Sequence, residues 1–313
     1  MGNYFADDQT DNKGGFFHRN KGVSFAVIIA CMLFIITFFL EKSKIIIDMV
    51  PILRGEVSLE RDFSITTTKE GYPLVIKKND PTVGSKVRFF GDIRSVFSET
   101  AMFFAKKGDL VAEVGPHFGY NLVRISKKLG EGGRYYAFEP NNSIFSRLRK
   151  SVVLNDLEEI AILRNVAISN KTEIISVPDC LSKIKTEDGI YKKNREINVT
   201  CSTLDKELAG ETRQVSLLLI DVPGFEFATI NGAEKILASS SDVKIIIYLD
   251  RIRASKNANE EAELNKLKAR GFLFYLVNDH PDSCAEVGVF DILSKEEAVI
   301  VMTKKKLDSR STS

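Results

Sequence analysis

Leu110–Tyr120 reads "LVAEVGPHFGY", and this stretch decides the fold. An apolar run carries one acidic residue, Glu113, and breaks at Gly115. Gly119 then opens an amphipathic segment, "YNLVRISKKLG", with Leu122, Ile125 and Leu129 on one face and Gly130 as its stop. A strand, a tight glycine turn and a helix make a seat for a nucleotide, with the ligand at the carboxyl end of the strand. The turn lacks the glycine spacing of a dinucleotide fingerprint, because Pro116 and His117 stand in its middle. A pyrophosphate needs several inward backbone N–H groups, and proline removes one.

Working outward, the same alternation recurs. Strands are predicted at Pro73–Lys77, Asp109–Gly115, Arg134–Glu139, Ile160–Ile168, Ser216–Asp221, Val243–Asp250, Phe272–Val277 and Glu297–Lys305. Helices are predicted at Ser95–Lys107, Tyr120–Gly130, Ser143–Asn155, from about Glu226, and at Asn259–Gly271. Apolar strands alternating with amphipathic helices predict an α/β, doubly wound, mostly parallel sheet covered on both faces. Ile174–Asn198 interrupts the rhythm with Lys, Glu and Asp; it reads as a solvated hairpin or as a lid over an acceptor.

Three carboxylates fall at strand ends: Glu113, Glu139 in "YYAFEP" and Asp221 in "LLLIDVPG". Each alone could be a turn residue near a helix start. Together on one sheet edge they point to a binding site. Glu139 comes twenty residues after Gly119, where nucleotide folds place a carboxylate on ribose hydroxyls. A ligand with a ribose and no pyrophosphate fits this pattern, and S-adenosylmethionine is one.

Composition sets the outer limits. The 313 residues carry 44 Lys+Arg against 42 Asp+Glu, a formal charge of +2, which argues against a nucleic-acid binder. Three histidines and four scattered cysteines, Cys31, Cys180, Cys201 and Cys284, offer no zinc pattern, so no metal is expected. The N-terminal region divides into a polar tail (1–22), an uncharged apolar run Val23–Leu40, and a connector (41–68) read as either a juxtamembrane helix or a loop. As a helix the run is about 27 Å long, close to a bilayer core of about 30 Å. Lys and Arg flank both of its ends, nearly balanced, so charge leaves its orientation undetermined. A membrane anchor is expected there rather than a buried soluble helix, since globular helices are seldom apolar on every face. A cleaved signal is disfavoured because "LEKSK" offers no small-x-small site. Residues 69–305 form the expected domain, and 306–313 a tail.

"KKGDLVAEVGPHFGYNLVRISKKLGEGGRYYAFEPNNSIFSRLRKSVVLND", "NVAISN", "STLDKEL" and "LLLIDVPGFEFATINGAEKIL" follow one another in the order and spacing of FkbM-type methyltransferases. The chain resembles that family over about Ser95–Leu249, and thereby the class I S-adenosylmethionine-dependent group. The resemblance implies that Gly115 and Gly119 bracket the methionine portion of the cofactor; Tyr120 is a further cofactor-binding candidate, and His117, where the family differs, is one that could hydrogen-bond near the cofactor. The resemblance also implies that Glu113 engages the ammonium group, directly or through water, and that Glu139 holds the ribose. Asn165 and Ala167, within Asn165–Ile168, would border the adenine. Asp221 would face the methyl group or the acceptor as candidate base, with Glu226 beside it. The family usually has Asp at position 113, Ala-Asn at 116–117 and Glu at 223; this chain has Glu, Pro-His and Pro.

The function expected is therefore a membrane-anchored S-adenosylmethionine-dependent methyltransferase acting on a hydroxyl of a sugar, glycolipid or related small-molecule acceptor. Its catalytic domain is expected to face the cytosol, where the cofactor is made. The alternative is a non-catalytic methyltransferase-like binding domain tethered to a membrane, suggested by Pro223 and His117. A nicotinamide-dependent oxidoreductase is a third reading, disfavoured by the missing GxGxxG.

Overall fold

The computed structural model describes residues 55–307 apart from 60–61, 79, 81–82, 94, 179–182, 186–190, 194–195 and 251–258. The expected anchor at 23–40 lies outside the described residues, as do the tail 1–22 and residues 41–54 of the connector. Among the described residues, no helix is long and apolar enough to cross a membrane.

The compact unit begins at Arg54 rather than at residue 69. The end of the expected connector is built into it as β1 (Val57–Ser58) and β2 (Phe63–Thr67), which continue into β3 (Pro73–Lys77). These three strands form their own antiparallel sheet. The strand predicted at Pro73–Lys77 is therefore present but belongs to a separate sheet. A local apolar pattern reports a strand, not which sheet it joins. Leu74 and Ile76 anchor this sheet in the core, and Val75 N–H donates to Ser151 Oγ at 2.9 Å.

Next come α1 (Gly84–Phe90) and α2 (Val96–Phe104), shorter than the helix predicted to Lys107. Ser95 caps α2 by accepting the Ser98 N–H. The domain then continues with β4 (Leu110–Val114), α3 (Tyr120–Leu129), β5 (Arg134–Phe138), α4 (Asn142–Val153) and β6 (Ala161–Arg164). The single strand predicted at Ile160–Ile168 is two. After β6 the chain changes sheet at Asn165, and β7 (Ala167–Ile168) pairs with β11 (Glu196–Ser202). Between them lie β8 (Ile174–Pro178), β9 (Lys183–Lys185) and β10 (Tyr191–Lys193). β9 and β10 pair as an antiparallel hairpin, and β8 pairs antiparallel with β11. Ile174–Asn198 thus supplies β8 and the start of β11 to a small sheet, with the β9–β10 hairpin between them in the chain.

The remainder comprises α5 (Leu204–Glu207), β12 (Leu217–Ile220), α6 (Glu226–Asn231), α7 (Glu234–Ser239), β13 (Lys244–Asp250) and α8 (Glu260–Ala269). It closes with β14 (Leu273–Val277), β15 (Cys284–Val287), α9 (Val289–Leu293) and β16 (Glu297–Thr303). β15 and α9 have no counterpart in the sequence reading. β15 is a short edge strand with two exposed residues, Ala285 and Glu286, and so shows no apolar run.

The main sheet has the order β15-β14-β16-β13-β12-β4-β5-β6. β13, β12, β4, β5 and β6 are parallel, while β16 runs antiparallel to both β13 and β14. The sheet is thus more mixed than the sequence rhythm implied. Alternate residues of each strand serve opposite faces. Val111, Leu217 and Leu219 pack with Phe97, Leu122, Ile125 and Leu148 on one side. Leu110, Ala112, Leu218 and Ile220 pack with Phe227, Leu237, Leu264 and Leu267 on the other. From β4 the chain builds outward through β5 and β6, then returns to lay β12 on the opposite side of β4. The order reverses between β4 and β12, and open α/β sheets bind their ligands at such a switch point.

Candidate functional site

The turn after β4 sits at that switch point, and its glycines answer to two constraints. Gly115 has φ +90°, and a Cβ there would collide with the Asp221 carbonyl oxygen and lie 2.9 Å from Val222 Cγ1. Only a bare backbone lets the ends of β4 and β12 approach this closely. Gly119 has φ +89°, and a Cβ would stand 2.6 Å from Leu148 Cδ1. Between them His117 is also left-handed, φ +52°. Asn, Asp and His populate that region more readily than other non-glycine residues. His117 therefore meets the same backbone demand as the Asn usual in the resembling family. Its ring packs edge-on against Phe118, with centroids 4.2 Å apart. His117 Nε2 lies 3.8 Å from Asp80 Oδ2. Asp80 precedes α1, its Oδ1 accepting from Val83 N–H at 2.8 Å and Gly84 N–H at 3.1 Å.

Glu139, just past β5, is 5% exposed. Its carboxylate accepts the Asn141 N–H at 2.9 Å and a backbone N–H from His117. Desolvation by burial outweighs these two bonds and pushes its pKa up to about 8. Asn165 Nδ2 donates to the Glu139 carbonyl oxygen at 2.8 Å and to that of Pro140 at 3.3 Å, tying the end of β6 to the end of β5. Glu139, His117 and Asn165 are thus brought together. Ala167 follows in β7, half-buried.

Two expected cofactor residues face elsewhere. Glu113 is 1% exposed, and both its oxygens are engaged: Asn121 Nδ2 donates to one at 2.9 Å and the Tyr135 hydroxyl to the other at 2.7 Å. Burial raises its pKa to about 7, against the opposing pull of these two donors. The carboxylate lies inside the core and fastens α3 to β5, so a direct contact with the ammonium group is not what this geometry offers. Tyr120 is buried as well. Its hydroxyl donates to Asp92 Oδ1 at 2.8 Å, and the Arg124 guanidinium lies 5.0 Å above its ring. It ties α3 to the segment before α2 and does not line the turn.

At the other side of the switch point, Asp221 is half-buried, and its N–H donates to the Val114 carbonyl at 3.0 Å. Glu226 is buried at the start of α6. Its Oε2 accepts the Gly224 N–H at 2.9 Å, and desolvation raises its pKa to about 7, with Glu260 and Asp221 adding repulsion. Asp221 is therefore accessible to a ligand, whereas Glu226 faces inward and braces the turn. Among the described residues, no group of three or more His, Cys, Asp or Glu could hold a metal ion.

Sequence reasoning missed Asn121, Tyr135, Asn141 and Asp80. Asn141 was findable, because "EPNNS" carries Asn at a helix start, and its Oδ1 accepts from Ser143 and Ile144 N–H. Asp80 likewise precedes a helix. Asn121 and Tyr135 gave no signal, since their pairing with Glu113 depends on how β4, α3 and β5 pack. A cleft of about 1120 Å³, lined by Gly132, Arg134, Glu159 and Arg213 among others, lies at the amino ends of β5 and β6. Within it Arg213 Nε pairs with Glu211 Oε1 at 3.1 Å, and the cleft is at the opposite edge of the sheet from the glycine turn.

Residues 113–274 match the methyltransferase FkbM domain. No curated protein matches the chain. Among solved structures, an S-adenosylmethionine-dependent O-methyltransferase from Thermotoga maritima is 14% identical, with TM-score 0.38 over 78% of each chain. An O-methyltransferase from Bacillus cereus, in complex with SAH, is 14% identical with TM-score 0.40, over 66% of this chain and 78% of that one. Fibrillarin from Aeropyrum pernix, with S-adenosyl-L-methionine bound, is 12% identical with TM-score 0.40, over 79% and 96%.

Proposed function

The chain belongs to the FkbM methyltransferase family, and from that premise we propose that it O-methylates a sugar, glycolipid or related hydroxyl acceptor at a membrane. Methyltransferase activity and the S-adenosylmethionine donor follow from the family. The observation that carries the donor site is Glu139, held beside the glycine turn by the backbone N–H groups of Asn141 and His117. Each carboxylate oxygen has more than one acceptor position, so lone pairs remain for a ribose diol. Gly115, His117 and Gly119 give the turn beside it, and Asn165 and Ala167 the adenine border.

When bound, the donor supplies an electrophilic methyl group on a sulfonium. The chain's own contribution would be placement: the turns after β4 and β12 lie at adjacent strand ends, where they would hold donor and acceptor side by side. Asp221, half-buried at the end of β12, is the group positioned to take the acceptor proton. Glu226 acts through the turn it braces. Residues 23–40 serve as the anchor in this reading, and the domain faces the cytosol, where the donor is made.

Calorimetry on the full-length protein tests the donor site. Glu139→Ala should weaken S-adenosylmethionine binding by about 10- to 100-fold, the loss of two hydrogen bonds of about 1–1.5 kcal/mol each to the ribose hydroxyls. Unchanged affinity in the variant would remove Glu139 from the site and the proposal with it.

A further inference from the structure

The turn after β12 fixes the character of the acceptor side. Phe225 N–H donates to the Val222 carbonyl at 2.9 Å, and Gly224 has φ +88°. This is a type II turn, with proline and glycine at the two corners that favour them. Glu226, the nearest following carboxylate, is turned inward onto the Gly224 N–H. Val222 packs inward against the core and against Gly115, so past Asp221 the side chains left at the surface of the turn are Pro223, half-buried, and Phe225, exposed, both uncharged and apolar. Phe225 is 37% exposed. The turn abuts the donor turn directly, since a Cβ on Gly115 would lie 2.9 Å from Val222 Cγ1.

We propose that this rim recognises an apolar portion of the acceptor adjoining the hydroxyl that is methylated, with Pro223 fixing the turn and Phe225 supplying the contact surface. The inference rests on the methyltransferase reading above and narrows its acceptor class to apolar glycosides, glycolipids and similar conjugates over bare sugars. A carboxylate at position 223 would keep the rim hydrated, because a charge resists losing its water to an apolar neighbour. Proline both removes that charge and holds the backbone. The position at the switch point decides the occupant. A group that brings a hydroxyl to the donor turn from the β12 side passes alongside Phe225, and burying that ring favours an apolar moiety by about tenfold in affinity.

The chain contains no tryptophan, so Phe225→Trp in the full-length protein is a single emission reporter at the rim. The probes are phenyl β-glucoside and methyl β-glucoside, titrated in the presence of S-adenosylhomocysteine. Phenyl β-glucoside should shift the emission to the blue and saturate at about tenfold lower concentration than methyl β-glucoside. Adding Pro223→Glu in the same background should abolish that preference. Equal responses to both probes, or a response to neither, overturn the inference. Calorimetric binding of S-adenosylhomocysteine to the reporter protein shows that it is folded and separates the two readings. Donor-product binding without the phenyl preference defeats the apolar rim alone. Loss of donor-product binding in the unsubstituted protein defeats the methyltransferase site itself.

Discussion

The turn after β4 and the turn after β12 lie side by side at one sheet edge. Each carries a proline and a left-handed glycine, and each departs from its family's usual residues. They are nevertheless built on different grounds. The β4 turn is fixed by its neighbours: Gly115 is pressed against Asp221 and Val222, and Gly119 against Leu148. The β12 turn is fixed from within, by its Pro-Gly corner and by Glu226 reaching back to the Gly224 N–H. One departure, Pro116-His117, leaves the backbone demand intact because His tolerates φ +52°. The other, Pro223, exchanges a charged rim for a rigid apolar one. A motif residue can thus change for backbone reasons in one turn and for recognition reasons in the next, and only the geometry tells them apart.

The largest expected effect tests the carboxylates beneath both turns. Glu113, Glu139 and Glu226 have pKa values raised from 4.5 to about 7, 8 and 7, in each case chiefly by burial. The native state therefore holds protons that the unfolded chain has released. The stabilisation is fully present below about pH 4.5 and is lost as pH rises through 7 and 8. A tenfold difference in proton affinity between the folded and unfolded states corresponds to roughly 1.4 kcal/mol for each group. The unliganded domain should therefore be several kcal/mol less stable at pH 9 than at pH 5. Denaturant midpoints across this range check it, and a flat profile would show that the carboxylates ionise freely in the fold. Glu226→Gln should flatten the profile less than Glu113→Gln and Glu139→Gln together, apportioning the effect between the turns.

Gly115→Ala and Gly224→Ala come next, and they sharpen the contrast directly. Both positions are left-handed, so both substitutions carry a strain of about 1–2 kcal/mol. Gly115→Ala also drives a methyl group into the Asp221 carbonyl, so about 3 kcal/mol or more should be lost. Equal losses, measured by urea denaturation, would mean that β4 and β12 separate easily and that the close approach is not a constraint.

How far the sequence carried the reading follows the same line. Strands such as Leu217–Ile220 and Lys244–Asp250 were legible because an unbroken apolar run at a strand's length, bounded by turns, has few other solutions. The position of Glu139 was legible from its distance to Gly119. Side-chain direction was not. Glu113 and Val111 share a face with α3, while Ala112 and Val114 share the other, and nothing local told which face the carboxylate would meet. Sheet membership was equally hidden. Pro73–Lys77 and Ile160–Ile168 show the same apolar pattern as the central strands, yet the first joins a separate sheet and the second divides at Asn165. Asn141 is a buried helix cap, 6% exposed.

His117 gives a smaller effect. His117→Asn should change stability by less than about 0.5 kcal/mol, since Asn accepts the left-handed backbone, whereas His117→Val should lose about 1–2 kcal/mol. A large loss in the Asn variant, seen in thermal melts, would mean that the imidazole beside Asp80 matters beyond its backbone.

Pro223→Ala is expected to be the mildest change. Proline at the second position of a type II turn restricts the unfolded chain more than the folded one, so its removal should destabilise by about 0.4–1 kcal/mol. Glu226 would still hold the Gly224 N–H, and the β4 turn would be untouched, so donor affinity should be unaltered. If calorimetry instead showed donor binding falling together with stability, the two turns would be one cooperative unit. The separation drawn between a turn fixed by its neighbours and a turn fixed from within would then have to be abandoned.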